Sequence, residues 1–202
     1  MRFLPLLGIL LLIGSAFFWR PWLQYRRHGT WGVILFRTGG WAQRLRDATL
    51  VAFTLAVLAQ AVVAAAWPGS IAGLVHGAWM EIAGIALLFG GVALVVLAQL
   101  QMGASWRIGI DEAAAPGLVT SGVFRFCRNP IYLAMIVVTA GYALLLPTLL
   151  SFILLAGTIF GMSTQARTEE AYLLRTYGDG FREYARRVGR FLPGMGKLSD
   201  RQ

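Results

Sequence analysis

Two carboxylates, Glu169 and Glu170, stand side by side just past a long apolar stretch. Carboxylates are costly close to hydrocarbon unless they are paired. As a functional pair they could hold a cation, such as an α-ammonium or a sulfonium group. As a structural pair they could be neutralised by Arg125, Arg128 or Arg167. Upstream, Arg128-Asn129-Pro130-Ile131-Tyr132 opens the same apolar stretch. Pro130 suits the first turn of a helix, where a missing N–H costs nothing. Asn129 is a good N-cap. Such a helix start offers free N–H groups and a partial positive charge to an anion. The same five residues also describe a capped membrane helix with Tyr132 at the interface.

Beyond the carboxylates, Leu173, Tyr177, Phe181, Tyr184 and Val188 recur at spacings of four and three, which predicts one apolar helical face. Gly178 is a candidate interruption. Arg182, Arg186, Arg187 and Arg190 fall on other faces, as in an amphipathic helix lying on anionic lipid. Before the apolar stretch, Gly103 to Gly109 and Gly117 to Gly122 form two glycine-rich runs. They suit either a plain loop or close approach of a ligand to the main chain.

The elements that must position these residues are membrane helices. The 202-residue chain is 57% hydrophobic and 13% charged, with a mean hydropathy of +0.65. Soluble domains carry about 25% charged residues. A formal net charge of +9 alternates with membrane-length apolar runs, which points to anionic headgroups and away from nucleic acid. A helix needs about 20 apolar residues to cross a bilayer. Phe3 to Trp19, read as a retained anchor, Thr49 to Trp67 and Ala78 to Leu100 are three candidate spans. Ile131 to Met162 would reach about 48 Å as one helix. Pro147 at its middle predicts a hairpin of two helices.

The expectation is an all-α integral membrane protein of about five transmembrane helices, with a C-terminal hairpin and a cytosolic amphipathic tail helix. Residues 1–202 form a single membrane domain. Within it, 1–102 is a three-span part and 103–193 carries the chemistry. Arginines crowd the link between spans one and two (Arg20, Arg26, Arg27, Arg37, Arg44, Arg46), the segment before the hairpin and the tail. The link Pro68 to Gly77 has no Lys or Arg. Basic loops stay cytoplasmic, so the N-terminus is expected outside and the C-terminus inside. Trp22, Tyr25, Trp31 and Trp41 suit the interface. Gly157 and Gly161 have the spacing of a close helix contact. Gln60, Gln99 and Gln101 are candidates for bonds between helices.

The ordered motifs resemble the isoprenylcysteine carboxyl methyltransferase and phospholipid methyltransferase group. They are Gly122-Val123-Phe124-Arg125, Arg128 to Tyr132, Glu169-Glu170 with Leu173, Gly178 with Phe181 and Tyr184, and Arg190 with Pro193. The resemblance covers roughly Gly103 to Pro193. It implies an integral membrane enzyme that uses S-adenosylmethionine, bound between the hairpin start and the tail. By position it implies that Arg128, Asn129, Pro130 and Tyr132 face the amino-acid end of the cofactor. Glu170, or second Glu169, would hold the ammonium, and Tyr184, Arg190 and Pro193 would enclose the adenosine. The isoprenylcysteine enzymes have His where this chain has Asn129. Asparagine does not titrate near neutral pH, so a catalytic imidazole there is excluded. Asn also occurs in bacterial relatives of the group, so the resemblance holds, and the expected location is a bacterial inner membrane.

Methyl transfer from a sulfonium releases a neutral thioether, so alignment supplies most of the rate advantage. Arg107 and Arg125 are the candidates for the catalytic site, where they would orient an anionic acceptor; both also suit phosphate-headgroup anchors. The expected partners are membrane lipids and a lipophilic acceptor, an isoprenylcysteine-like carboxylate. A phospholipid amine or a small thiol is the alternative, and a multispan scaffold or transporter is the non-enzymatic one. No strand-linked Gly-x-Gly-x-x-Gly is present, so the cofactor is not held in a Rossmann manner. His28 and His76 are far apart in sequence and lie on opposite predicted faces of the membrane, so no two-histidine metal site is expected. Cys127, the only cysteine, is expected as a buried thiol.

Overall fold

The computed structural model describes residues 2–36, 40–67, 69, 77–108 and 117–198. Arg37, His76, Gly109 and Arg201 lie outside the described residues, as does most of the bare link after Trp67. Every regular element described is helical. Four helical stretches are long and apolar enough to cross a membrane: Leu4–His28, Trp41–Ala66, Ala78–Gln101 and Leu149–Tyr177. The protein is integral to a membrane by that measure.

The first stretch runs further than the sequence suggested. Helix α1 (Leu4–Ile13) passes through a π-helical turn (Gly14–Trp19) into α2 (Arg20–His28) without a break. The expected loop residue Arg20 is therefore helical and buried. Helix α3 (Trp41–Ala66) starts eight residues before its apolar core and takes Arg44 and Arg46 into its first turns. Helix α4 (Ala78–Gln101) agrees with the expected span.

The hairpin divides as expected. Helix α5 (Pro130–Leu145) has 16 residues and α6 (Leu149–Tyr177) has 29, separated by Leu146-Pro147-Thr148. Proline cannot donate to the preceding turn, and Thr148 caps the new helix by accepting from the Ser151 amide at 3.0 Å. Helix α5 is about 24 Å long at 1.5 Å per residue, shorter than a standard crossing. Asn129 does not cap α5 with its side chain; it leaves that turn to reach the tail.

Helices α4 and α5 make the closest pair. A Cβ at Gly141 would lie 2.3 Å from the Leu88 amide nitrogen, and one at Gly91 would lie 2.7 Å from the Val138 side chain. Small residues draw the backbones together because lipid supplies no hydrophobic force between helices. The Gly157–Gly161 pair plays a lesser part: Gly157 approaches Phe53 of α3, and Gly161 faces open space. Inside the bundle, Gln60 of α3 donates to the hydroxyls of Thr148 (2.7 Å) and Ser151 (3.1 Å) and accepts from Tyr142 (3.2 Å). Apolar residues of α1, α3, α4, α5 and α6, including Leu88, Val95, Val138 and Tyr142, fill the core around it.

The tail is two helices rather than one. Gly178 takes φ +51°, a conformation that costs other residues, and α6 ends there. Helix α7 (Asp179–Arg187) turns back. Its apolar face is spent inside the protein: Phe181, Tyr184, Ala185 and Val188 are buried with Leu118, Leu173, Leu174 and Tyr177. The lipid-lying tail helix expected from periodicity is thus a packed element whose charged face alone is exposed.

Candidate functional site

The tail returns to the start of α5 through backbone pairing. Cys127 and Gly189 form a parallel bridge. The Arg128 amide donates to the Gly189 carbonyl at 2.9 Å, and the Asn129 amide to the Arg190 carbonyl at 3.1 Å. Tyr184 adds a hydroxyl bond to the Phe124 carbonyl at 2.6 Å. Burial raises the Tyr184 phenol above its ordinary range, so it stays a neutral donor.

Glu170 sits at the centre of this closure. Its Oε1 accepts from Arg128 Nε (3.1 Å) and Nη2 (2.9 Å) and from Asn129 Nδ2 (3.0 Å). Its Oε2 accepts from Arg190 Nε (3.0 Å) and Nη2 (2.8 Å). The remaining Arg128 donors go to the carbonyls of Ala185, Val188 and Gly196. All five N–H groups of that guanidinium are engaged. Arg128 and Glu170 form a hydrogen-bonded buried ion pair with the partly exposed Arg190 on its flank, the arrangement in which a buried charge is tolerated.

Glu169 points elsewhere. Its Oε2 accepts from the Tyr132 hydroxyl at 2.7 Å. Successive helical residues diverge by about 100°, so the two carboxylates meet different surroundings. Tyr132 and Glu169 line a cavity between α5, α6, α7 and the segment after α4. Arg107, Arg128, Asn129, Glu170 and Tyr184 reach the same cavity. Its apolar walls include Leu118, Val119, Phe124 and Phe181. Gln165, one turn before Glu169, and Ser105, Tyr172 and Tyr177 also line it. Sequence reasoning did not single out Gln165 or Tyr172, and it placed Tyr177 on the apolar tail face and Ser105 in a glycine-rich run; the i, i+4 relation of Gln165 to Glu169 was the available signal.

Several expected site residues are not on the cavity wall. Arg125 is exposed and lies over the Phe126 ring, 4.5 Å from its centroid. Pro130 is the buried first residue of α5. Arg190 spends its guanidinium on Glu170, and Pro193 lies in the exposed turn that follows. Cys127 is buried; its thiol donates to the Arg190 carbonyl at 3.4 Å. Burial pushes that thiol up to about 11, against the smaller lowering effects of the Asn129 backbone and of Arg128.

A sequence profile described as phospholipid methyltransferase matches residues 79–180, from the start of α4 to the beginning of α7. The chain belongs to the phospholipid methyltransferase family. Curated relatives are protein-S-isoprenylcysteine O-methyltransferases. The fission yeast (Schizosaccharomyces pombe) protein is 31% identical over 77 residues, 38% of this chain and 33% of that protein. The Rattus norvegicus protein is 25% identical over 118 residues, 57% of this chain and 42% of that one. The chain thus matches a third to two-fifths of the length of these relatives. Among solved structures, the eukaryotic intramembrane Ras methyltransferase, an isoprenylcysteine carboxyl methyltransferase, has the same fold. Its TM-score is 0.60 at 18% identity, over 90% of this chain and 62% of that one. The matched residues run from α4 to the first residues of α7 and include most of the cavity lining; Phe181 and Tyr184 lie just beyond them.

Proposed function

We propose that this chain is a methyltransferase that uses S-adenosylmethionine and acts on a lipophilic, anionic acceptor at the edge of the bilayer. The observation that carries this reading is the Tyr132–Glu169 pair on the wall of a cavity lined mostly by residues within the family match. With Glu170 consumed by two guanidiniums, Glu169 is the carboxylate assigned to the cofactor ammonium, in place of the order suggested by sequence. The donor set suits such a ligand. Leu118, Val119, Phe124 and Phe181 offer apolar walls to an adenine. Arg128, Asn129 and Arg190 act by holding Glu170 and the tail in place.

Bound S-adenosylmethionine would supply an activated methyl group. Held by Tyr132 and Glu169, it would give that methyl to the acceptor oxygen and keep the carbon–sulfur electron pair as a neutral thioether. No proton moves if the acceptor arrives as a carboxylate. Arg107, on the same wall, would orient that anion; positioning of this kind supplies much of the advantage in a bimolecular step. An amine acceptor would first have to lose a proton. The N-terminus outside and a cytoplasmic tail complete the proposal, with residues 103–193 as the methyltransferase unit in a bacterial inner membrane.

The test is titration calorimetry of the detergent-purified protein with S-adenosylmethionine and its demethylated product. Methyl transfer to N-acetyl-S-farnesylcysteine, phosphatidylethanolamine and an alkyl thiol is then compared. Binding with transfer to the carboxylate supports the reading. A folded protein that binds neither nucleoside at millimolar concentration overturns it. Transfer to the amine or thiol alone moves the acceptor class and leaves the cofactor.

A further inference from the structure

The segment that carries Arg107 is held from behind by the N-terminal part of the chain, which lies outside the family-matched region. Trp106 has extended backbone, φ −67° and ψ 131°. In extended chain, successive side chains point to opposite sides. Ser105, at the end of a 3-10 turn, and Arg107 line the cavity, while Trp106 between them is fully buried against Arg20 and Gly32. Three contacts fix that back side. Arg20 lies over the Trp106 ring, 4.7 Å from its centroid, and donates to the carbonyls of Gln99 (3.2 Å) and Gly103 (2.7 Å). Gln24 accepts from Arg20 at 2.8 Å and donates to the Ala104 carbonyl at 3.1 Å. Ile108 donates to the Gly32 carbonyl at 2.7 Å and accepts from the Ile34 amide at 3.0 Å. Arg20 and Gln24 are both buried, and their partners here are main-chain carbonyls and each other. A buried guanidinium satisfied in this way is costly to place, so its directional bonds define where the segment can sit.

Gly32 completes the fit. It takes φ +65°, and a Cβ there would lie 2.9 Å from the Trp106 ring and 3.0 Å from the Trp106 carbonyl oxygen. Both its backbone and its missing side chain are therefore matched to Trp106.

We infer that Arg20, Gln24 and Gly32 are positioning residues that set where Arg107 stands on the cavity wall, and hence how the acceptor anion is oriented. Arg107 also acts electrostatically on Glu169, but Tyr132, Glu169 and the Glu170 cluster are themselves held by α5, α6 and the tail, so cofactor binding is expected to change little. The inference about the acceptor rests on the proposed methyl transfer; the inference about the Arg107 segment does not.

The experiment has two arms on the full chain in detergent. Backbone hydrogen exchange compares the parent with Gly32→Ala and Arg20→Gln. Faster exchange is expected in the peptide spanning 102–108, with the 160–175 peptide unchanged. Methyl transfer to N-acetyl-S-farnesylcysteine is measured for Gly32→Ala, Arg107→Ala and the double variant, alongside S-adenosylmethionine affinity. The expected result is an acceptor-side loss of at least ten-fold for each single variant. The double variant should be no worse than Arg107→Ala, and cofactor affinity for Gly32→Ala should stay within two-fold of the parent. Losses that multiply in the double variant, or weakened cofactor binding by Gly32→Ala, would show a general structural role and overturn the inference. So would unchanged exchange in 102–108. If the parent binds the cofactor but methylates no acceptor, the function fails as proposed, and the exchange arm alone decides whether the strut holds the segment.

Discussion

Glu170 accepts from Arg128 with a single oxygen, Oε1, at 3.1 Å from Nε and 2.9 Å from Nη2, leaving Oε2 to Arg190. One carboxylate thus bridges two guanidiniums, one from the start of α5 and one from the tail segment paired with it. Its role is to close the tail against the start of α5. Removing its charge strands the nearly inaccessible Arg128 side chain. Breaking a buried pair from one side costs about 3–5 kcal/mol. Glu170→Gln is therefore expected to lower thermal stability in detergent markedly and to raise proteolysis of the tail. A variant as stable as the parent would show that the cluster does not hold the tail.

Glu169 should behave differently. Its Tyr132 bond is one contact among many holding α6, so Glu169→Gln is expected to fold normally. A hydrogen bond to a charged group is worth about 1.5–3 kcal/mol, a loss of roughly ten- to more than a hundred-fold in affinity. Calorimetry with S-adenosylmethionine should read that loss. Parent-like affinity in a folded Glu169→Gln would remove Glu169 from the cofactor site.

Packing between α4 and α5 gives a paired test. Gly141→Val forces a side chain onto the Leu88 backbone, where overpacking costs about 1–3 kcal/mol or more. Gly161→Val places the same side chain in open space and should change stability by less than about 0.5 kcal/mol. Thermal unfolding in detergent separates them. Equal effects would mean that the α4–α5 approach is looser than described.

Cys127 gives a pH test. Its thiol is pushed up to about 11 by burial, so at pH 8 about one molecule in a thousand carries the thiolate. Alkylation by iodoacetamide in the native state should be slow at pH 8. It should rise close to ten-fold per pH unit until the pH approaches 11. Rapid labelling at neutral pH, with the fold intact, would place the thiol at the surface or show that Arg128 dominates its ionisation.

Orientation is open to reporter fusions. Fusions after Gly73 and Arg201 should report the outside and the cytoplasm respectively, because basic segments are retained inside. The reverse pattern would place the cavity on the other face of the membrane.

Membrane character, the break at Pro147 and the motif residues around the hairpin were all legible in the chain itself. Length of apolar run, missing charge and a proline without an amide proton are local properties, and a bilayer reads them directly. What the sequence left undecided was direction. Helices that are apolar all round carry no strong face, so nothing local announced that Gly141 rather than Gly161 meets another backbone. Glu169 and Glu170 are the same residue type one position apart. Both reach the cavity, and only the arrival of Arg128 and Arg190, 42 and 20 positions away, ties up one in ion pairs while the other meets Tyr132. Arg20 looked like a loop cation because its partners are carbonyls some 80 residues later. Arg125 and Arg107 looked alike, and only the path of the chain placed one over Phe126 and the other on the cavity wall. Local composition determined which residues could do chemistry. Tertiary contacts decided which are used up in holding the fold, because a buried charge must find its partners wherever the chain brings them.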